Sequence, residues 1–236
     1  MAGDVLDGAV IAFDLDGTLV DTAPDLIGTL NVLLADEGLP ALPLDQARPF
    51  IGKGAAWLIQ RGFDAAGTPF DLARAPDLLD RFILRYRAHI ADDSRPFPGC
   101  VAALDALKAR GAKLVVCTNK RTDLSVALLD ALDLSRCFDA VIGSDAAPAI
   151  KPDRRHLETA VRAVGGDMAR TVMVGDAATD AGAARNAGAH LILVSFGYTE
   201  IPVAELNPDI LIDHFEGLVA GCETLLGACE PAPEPL

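Results

Sequence analysis

Asp14 and Asp16 stand at the end of an apolar run, Val10-Ile11-Ala12-Phe13, and lead into Gly17-Thr18-Leu19-Val20. A run of this kind that stops on carboxylates reads as a buried parallel strand releasing acidic groups at its carboxyl end, where open α/β sheets bind ligands. Two carboxylates held close together repel unless a cation lies between them or one keeps its proton. The pair therefore points to a hard divalent metal or to proton-transfer chemistry.

Three further apolar runs end in polar residues of the same kind. Thr118 and Asn119 follow one, Lys151-Pro152 lies in the loop after the next, and Gly175-Asp176 closes another, with Asp180 four residues on. Taken singly, Asp176 and Asp180 read as a helix cap with a first-turn carboxylate, Thr118 as a cap, and Lys151 as the start of a helix with Pro152 in its first turn. Brought to one sheet edge, they suit phosphoryl transfer. Asp14 would attack phosphorus, and Asp16 would protonate the leaving oxygen and later deprotonate the attacking water. A magnesium ion held by Asp14, the Asp16 backbone carbonyl and Asp176 would neutralise the carboxylates. Thr118 and Lys151 would meet the remaining phosphoryl oxygens, and Gly17 would let the backbone approach them.

The elements that must position these groups are legible as alternating patterns. Strand-like runs occur at Lys113–Cys117, Ala140–Gly143, Thr171–Gly175, Leu191–Val194 and Asp209–Ile212, with helical periodicity at Val101–Arg110, Leu124–Leu132 and His156–Val164. The expected fold class is α/β, a Rossmann-like doubly wound parallel sheet. From about Thr22 to Arg95 the patterns are helical only, at Asp25–Glu37, Gly54–Gly62 and Leu78–Ile90, so a small helical cap inserted after the first strand is expected. The domain expectation is a discontinuous core of 1–20 and 97–227, a cap of 21–96 and a disordered tail of 228–236. Stiff connectors at Val20–Pro24 and Ser94–Gly99 would let the cap act as a lid.

Composition narrows the partners. Of 236 residues, 51% are hydrophobic and 23% charged, the balance of a folded globular chain. The net charge of -14 argues against nucleic acid and anionic membranes. A small anionic substrate remains compatible where cations are concentrated locally. Five cysteines without metal-site spacing suit free thiols in a reducing compartment, and cytoplasmic residence is the default expectation. His89, His156, His190 and His214 lack metal-like spacing and are expected on element surfaces. The pattern leaves oligomeric state open.

The segments Asp14–Thr22, Cys117-Thr118-Asn119-Lys120, Lys151-Pro152 and Val174–Asp180 resemble, in order, the four motifs of the haloacid dehalogenase-like hydrolase superfamily. The resemblance implies a Rossmann-like core, a helical cap, a magnesium requirement, the roles given above, and Asp180 as an outer group near metal waters or Lys151. Within the superfamily, Val20–Leu26 with Asn31, Ile51-Gly52-Lys53-Gly54 and Ser195-Phe196-Gly197-Tyr198 are similar to the phosphoglycolate phosphatase subgroup, implying 2-phosphoglycolate as substrate. Thr18, Gly52, Lys53 and Asn119 are then expected at the substrate, with the Lys53 ammonium meeting a substrate carboxylate. A sugar-phosphate phosphatase or phosphomutase of the same superfamily is the alternative, and a non-enzymatic phospho-acceptor module a more distant one. Ala177 departs from the pattern, which usually has serine after the Gly-Asp of the fourth motif.

Overall fold

The computed structural model describes residues 4–227. Its strands are β1 Val10–Phe13, β2 Val20–Asp21, β3 Arg95–Pro96, β4 Lys113–Cys117, β5 Ala140–Ile142, β6 Thr171–Gly175, β7 His190–Val194 and β8 Ile210–Ile212. The α-helices are α1 Ala23–Asp36, α2 Leu44–Ala47, α3 Ala55–Ala65, α4 Ala75–Ala88, α5 Cys100–Ala109, α6 Thr122–Ala131, α7 Arg154–Ala163, α8 Ala178–Ala187 and α9 Leu218–Gly227.

Six strands form one parallel sheet in the order β5-β4-β1-β6-β7-β8. Strand periodicity divides each central strand between two apolar layers. Ile11, Phe13, Leu114, Val116, Val172 and Val174 pack with Leu104 of α5, Leu128 of α6 and Leu218 and Cys222 of α9. Val10, Ala12, Val115, Cys117 and Met173 face the other way, against Leu157 and Val161 of α7 and Ala181 and Ala184 of α8. A strand covered on both faces must be apolar at successive positions, which is why β1, β4 and β6 are unbroken apolar runs.

Between β2 and β3 the chain is helical and has an apolar cluster of its own. Leu26, Ile27, Leu30, Leu33 and Leu34 of α1 pack with Leu58, Ile59 and Phe63 of α3 and with Leu78, Phe82 and Tyr86 of α4. Their three- and four-residue spacings put each set on one helix face. The connectors differ from expectation. β2 and β3 pair antiparallel, Val20 opposite Pro96 and Asp21 opposite Arg95, so the two crossings between core and cap form a single ribbon. Asp25 strengthens it by accepting from the Ser94 amide at 2.8 Å and the Ser94 hydroxyl at 2.6 Å. The tail expected at 228–236 lies outside the described residues. Among those residues, no helix is long and apolar enough to cross a membrane.

Candidate active site

Because β1 lies between β4 and β6, the residues that follow these three strands share one edge of the sheet. Asp14 follows β1, Thr118-Asn119-Lys120 follow β4, and Asp176 follows β6, while Lys151 comes in from the loop between β5 and α7. All are buried.

Lys151 is fully enclosed, its Nζ 3.0 Å from Asp14 Oδ1 and 2.6 Å from Asp180 Oδ1. Burial opposes the charge of its ammonium, but Asp14 and Asp180 outweigh that and hold its pKa above the ordinary lysine value. Asp14 Oδ1 also accepts from the Leu15 amide at 2.7 Å. Burial raises the Asp14 pKa to about 6, opposed by Lys151 and assisted by Asp180 and Asp16. Asp176 is raised in the same direction by burial and by Asp180 and Asp14. Its two oxygens are separately held: Thr18 Oγ1 donates to Oδ1 at 2.7 Å, and the Tyr198 amide donates to Oδ2 at 2.6 Å. Gly17 makes this possible. Its φ is +87°, and a Cβ there would lie 2.6 Å from Asp176 Oδ2 and 2.8 Å from the Tyr198 ring.

Asp16 is paired with a second buried ammonium. Lys120 Nζ donates to its carboxylate oxygens at 2.8 and 3.1 Å and lies 4.5 Å from the centroid of the Tyr86 ring. Thr118 Oγ1 accepts from the Lys120 amide at 3.2 Å. The Asn119 side chain serves as a clamp: Nδ2 donates to the carbonyls of Gly52 and Lys151 at 3.1 and 3.2 Å, and Oδ1 accepts from the Lys151 amide at 2.9 Å. It therefore ties the cap loop carrying Gly52 to the loop carrying Lys151. Lys53 points to the protein surface, 42% exposed and 3.0 Å from Glu200. Beside Asp16 and Lys120, between cap and core, lies a cavity of about 280 Å³.

Thus the structure brings Asp14, Asp16, Thr18, Thr118, Lys151, Asp176 and Asp180 to one place, with Asn119 and Gly52 on its rim and Lys53 further out. Three residues here were given no site role by the sequence reading, although Lys120 and Tyr198 lie in its motif segments. Lys120 stands next to Asn119 in the same strand-end loop, the signal that could have found it. Tyr198 sits past β7 in a run similar to the subgroup; its hydroxyl accepts from the Ala23 amide at 3.1 Å and bonds the Asp21 carboxylate, so it links Asp176 to the ribbon. His156 corrects the expectation of a surface position: it is buried under the Lys151 loop, its Nδ1 accepting from the Lys151 amide at 3.2 Å. Burial and the nearby Lys151 lower its pKa to about 4, so it stays neutral and can accept.

The charge balance tests whether a metal belongs here. Four buried carboxylates, Asp14, Asp16, Asp176 and Asp180, face two buried ammonium groups, Lys120 and Lys151. Carboxylate oxygens of Asp14, Asp176 and Asp180 lie within 4.8 Å of one another. An excess of buried anionic oxygens, with two of the carboxyls pushed toward protonation, fits a hard divalent cation.

A family model for haloacid dehalogenase-like hydrolases matches residues 11–194. The chain is 60% identical over 228 residues to a phosphoglycolate phosphatase of Caulobacter vibrioides, covering 97% of this chain and 96% of that relative. To a phosphoglycolate phosphatase of Agrobacterium fabrum it is 46% identical over 206 residues, covering 87% and 88%. The crystal structure of a predicted phosphoglycolate phosphatase from Haemophilus somnus has a TM-score of 0.85 at 31% identity, covering 91% of this chain and 97% of that one. With the four strand-end motifs gathered on one sheet edge beneath a helical insertion, the chain belongs to the haloacid dehalogenase-like hydrolases.

Proposed function

We propose that this hydrolase cleaves the ester of 2-phosphoglycolate, using magnesium and an aspartyl-phosphate formed on Asp14. Its standing as a phosphoric monoester hydrolase rests on the 60% identity to the Caulobacter phosphatase across nearly both whole chains. The observation that carries the mechanism is the arrangement of Asp14. Lys151 and the Leu15 amide hold Oδ1, and Oδ2 accepts no hydrogen bond from the described residues. One oxygen is fixed and the other is left to attack.

In the first step an Asp14 carboxylate oxygen bonds to phosphorus as the bond from phosphorus to the ester oxygen breaks, and Asp16 gives that oxygen its proton, releasing glycolate. In the second, Asp16 takes a proton from water as the water oxygen bonds to phosphorus, and the bond from Asp14 to phosphorus breaks, releasing phosphate. Lys151 offsets charge on the phosphoryl oxygens, and the Thr118 hydroxyl donates to one of them. Asp14, Asp176 and the Asp16 backbone carbonyl would hold magnesium, which supplies charge neutralisation for the phosphoryl group. Asp180 acts one step back, holding Lys151 and accepting from the Asp176 and Ala177 amides at 3.2 and 3.0 Å. The cap excludes bulk water while the phosphoryl group transfers.

The test is phosphate release from 2-phosphoglycolate and a panel of sugar phosphates, with magnesium and with chelator. The expected result is magnesium-dependent turnover that favours 2-phosphoglycolate. Preference for a sugar phosphate would overturn the substrate, and undiminished turnover in chelator would overturn the metal.

A further inference from the structure

Lys120 has no part in the steps above, yet it borders the reaction space. It is 9% exposed and bonded through one face of its ammonium to both oxygens of Asp16. Tyr86 reaches it from α4 of the cap, and the buried Tyr86 hydroxyl has the Lys120 ammonium as a neighbour but no hydrogen bond of ordinary geometry. Asp16, Lys120 and Tyr86 all line the cavity between cap and core, whose other walls are largely apolar, including Leu58, Phe82 and Leu124. An ammonium bonded to one carboxylate and a phenol without a well-formed hydrogen bond, set in such a wall, both gain from an occupant that meets them.

The other cations near this space are committed elsewhere. Lys151 is already enclosed by two carboxylates, Lys53 pairs with Glu200 at the surface, and Arg121 pairs with Asp123. Lys120 is bonded to one carboxylate. Lys151 shows, in the same site, that a buried ammonium here holds two.

The geometry of the reaction then places the second one. For Asp16 to protonate the ester oxygen, that oxygen must lie within hydrogen-bond reach of Asp16. A carboxylate one carbon beyond it falls beside the ammonium that is itself in contact with Asp16. We propose that Lys120, together with the Tyr86 hydroxyl, binds the leaving group's carboxylate and so selects esters in which one carbon separates the ester oxygen from a carboxylate. This rests on the substrate reading above and names the residues that would impose it. Because Tyr86 belongs to the cap and Lys120 to the core, the seat is complete only when the two are together. A neutral leaving group offers the pair nothing, and a longer acid carries its charge toward the apolar wall.

The experiment compares kcat/KM for 2-phosphoglycolate with that for ethyl phosphate, which keeps the ester and the first carbon but lacks the carboxylate. The readout is the ratio, because removing an ammonium from Asp16 alters the general acid for any ester. In Lys120→Met the ratio is expected to fall about 30-fold, mostly through KM for 2-phosphoglycolate. Lys120→Arg should recover most of it, and Tyr86→Phe should lower it about threefold. If Lys120→Met does not fold, as judged by circular dichroism, Lys120→Gln carries the same comparison. Equal losses on both esters, or a ratio unchanged from wild type, would overturn the assignment while leaving the substrate reading intact. A wild-type enzyme with no preference between the two esters would overturn both.

Discussion

Asp14 and Asp16 are two residues apart and have different electrostatic surroundings. Asp14 shares Lys151 with Asp180, so its charge is incompletely offset and burial raises its pKa to about 6. Asp16 has the Lys120 ammonium on both oxygens. The two carboxylates therefore differ in which cation each one faces. Asp14→Asn should lower phosphate release by about a thousandfold or more while circular dichroism stays native, since asparagine keeps the shape and the Leu15 contact but is no nucleophile. Substantial residual turnover in the folded variant would sink the role given to Asp14. Lys120 and His156 show what sequence alone conceals at this scale. Lys120 stands in a motif segment with no role legible for it, and His156 reads as a surface residue; the packing of the Lys151 loop and of α4 buries them.

The helix α8 has Ala177 at its N-cap, with half of a capping interaction. Asp180, in its first turn, accepts from the Ala177 amide at 3.0 Å, but alanine has no hydroxyl to return the bond. Ala177→Ser should complete the box and raise Tm by about 2–4 °C, with magnesium dependence retained, as read by thermal unfolding and phosphate release. An unchanged Tm would mean that the serine hydroxyl does not reach the helix amides. At the scale of elements, β1, β4 and β6 were legible because a strand buried on both faces must be an apolar run. The long cap helices were legible because Leu78, Phe82 and Tyr86, for instance, recur every four residues. β2 and β3 were not, since a two-residue ladder has no periodicity to read; nor was α2, a single turn after Pro43. Asp21 and Asp25 read as family signature residues, and the structure gives both physical duties. Asp21 bonds Tyr198 and pairs with Arg48 at 3.0 Å, and Asp25 fastens the amides at Asp93 and Ser94.

For the molecule as a whole, the unbalanced carboxylates make stability depend on pH and metal together. Without metal, folded Asp14 keeps its proton up to about pH 6, while an unfolded aspartate loses it near 3.8. The folded state thus binds more protons across that window, and its stability falls as pH rises through it; the upward shift of Asp176 acts in the same sense. A divalent cation held by the ionised carboxylates would remove the penalty. Added magnesium should therefore raise Tm more at about pH 7.5 than at about pH 5, and an equal rise at both would contradict the role given to the cluster. The topology has a further consequence, for the order in which the chain is made. β1 leaves the ribosome before the other strands, yet its neighbours in the sheet are β4 and β6, the second of which ends only at Gly175. The helices between β2 and β3 hold most of an apolar cluster of their own and emerge complete long before that. During synthesis the insertion can settle while the strand bearing Asp14 waits, so that Asp14 is made before the residues that surround it and is among the last to gain its surroundings.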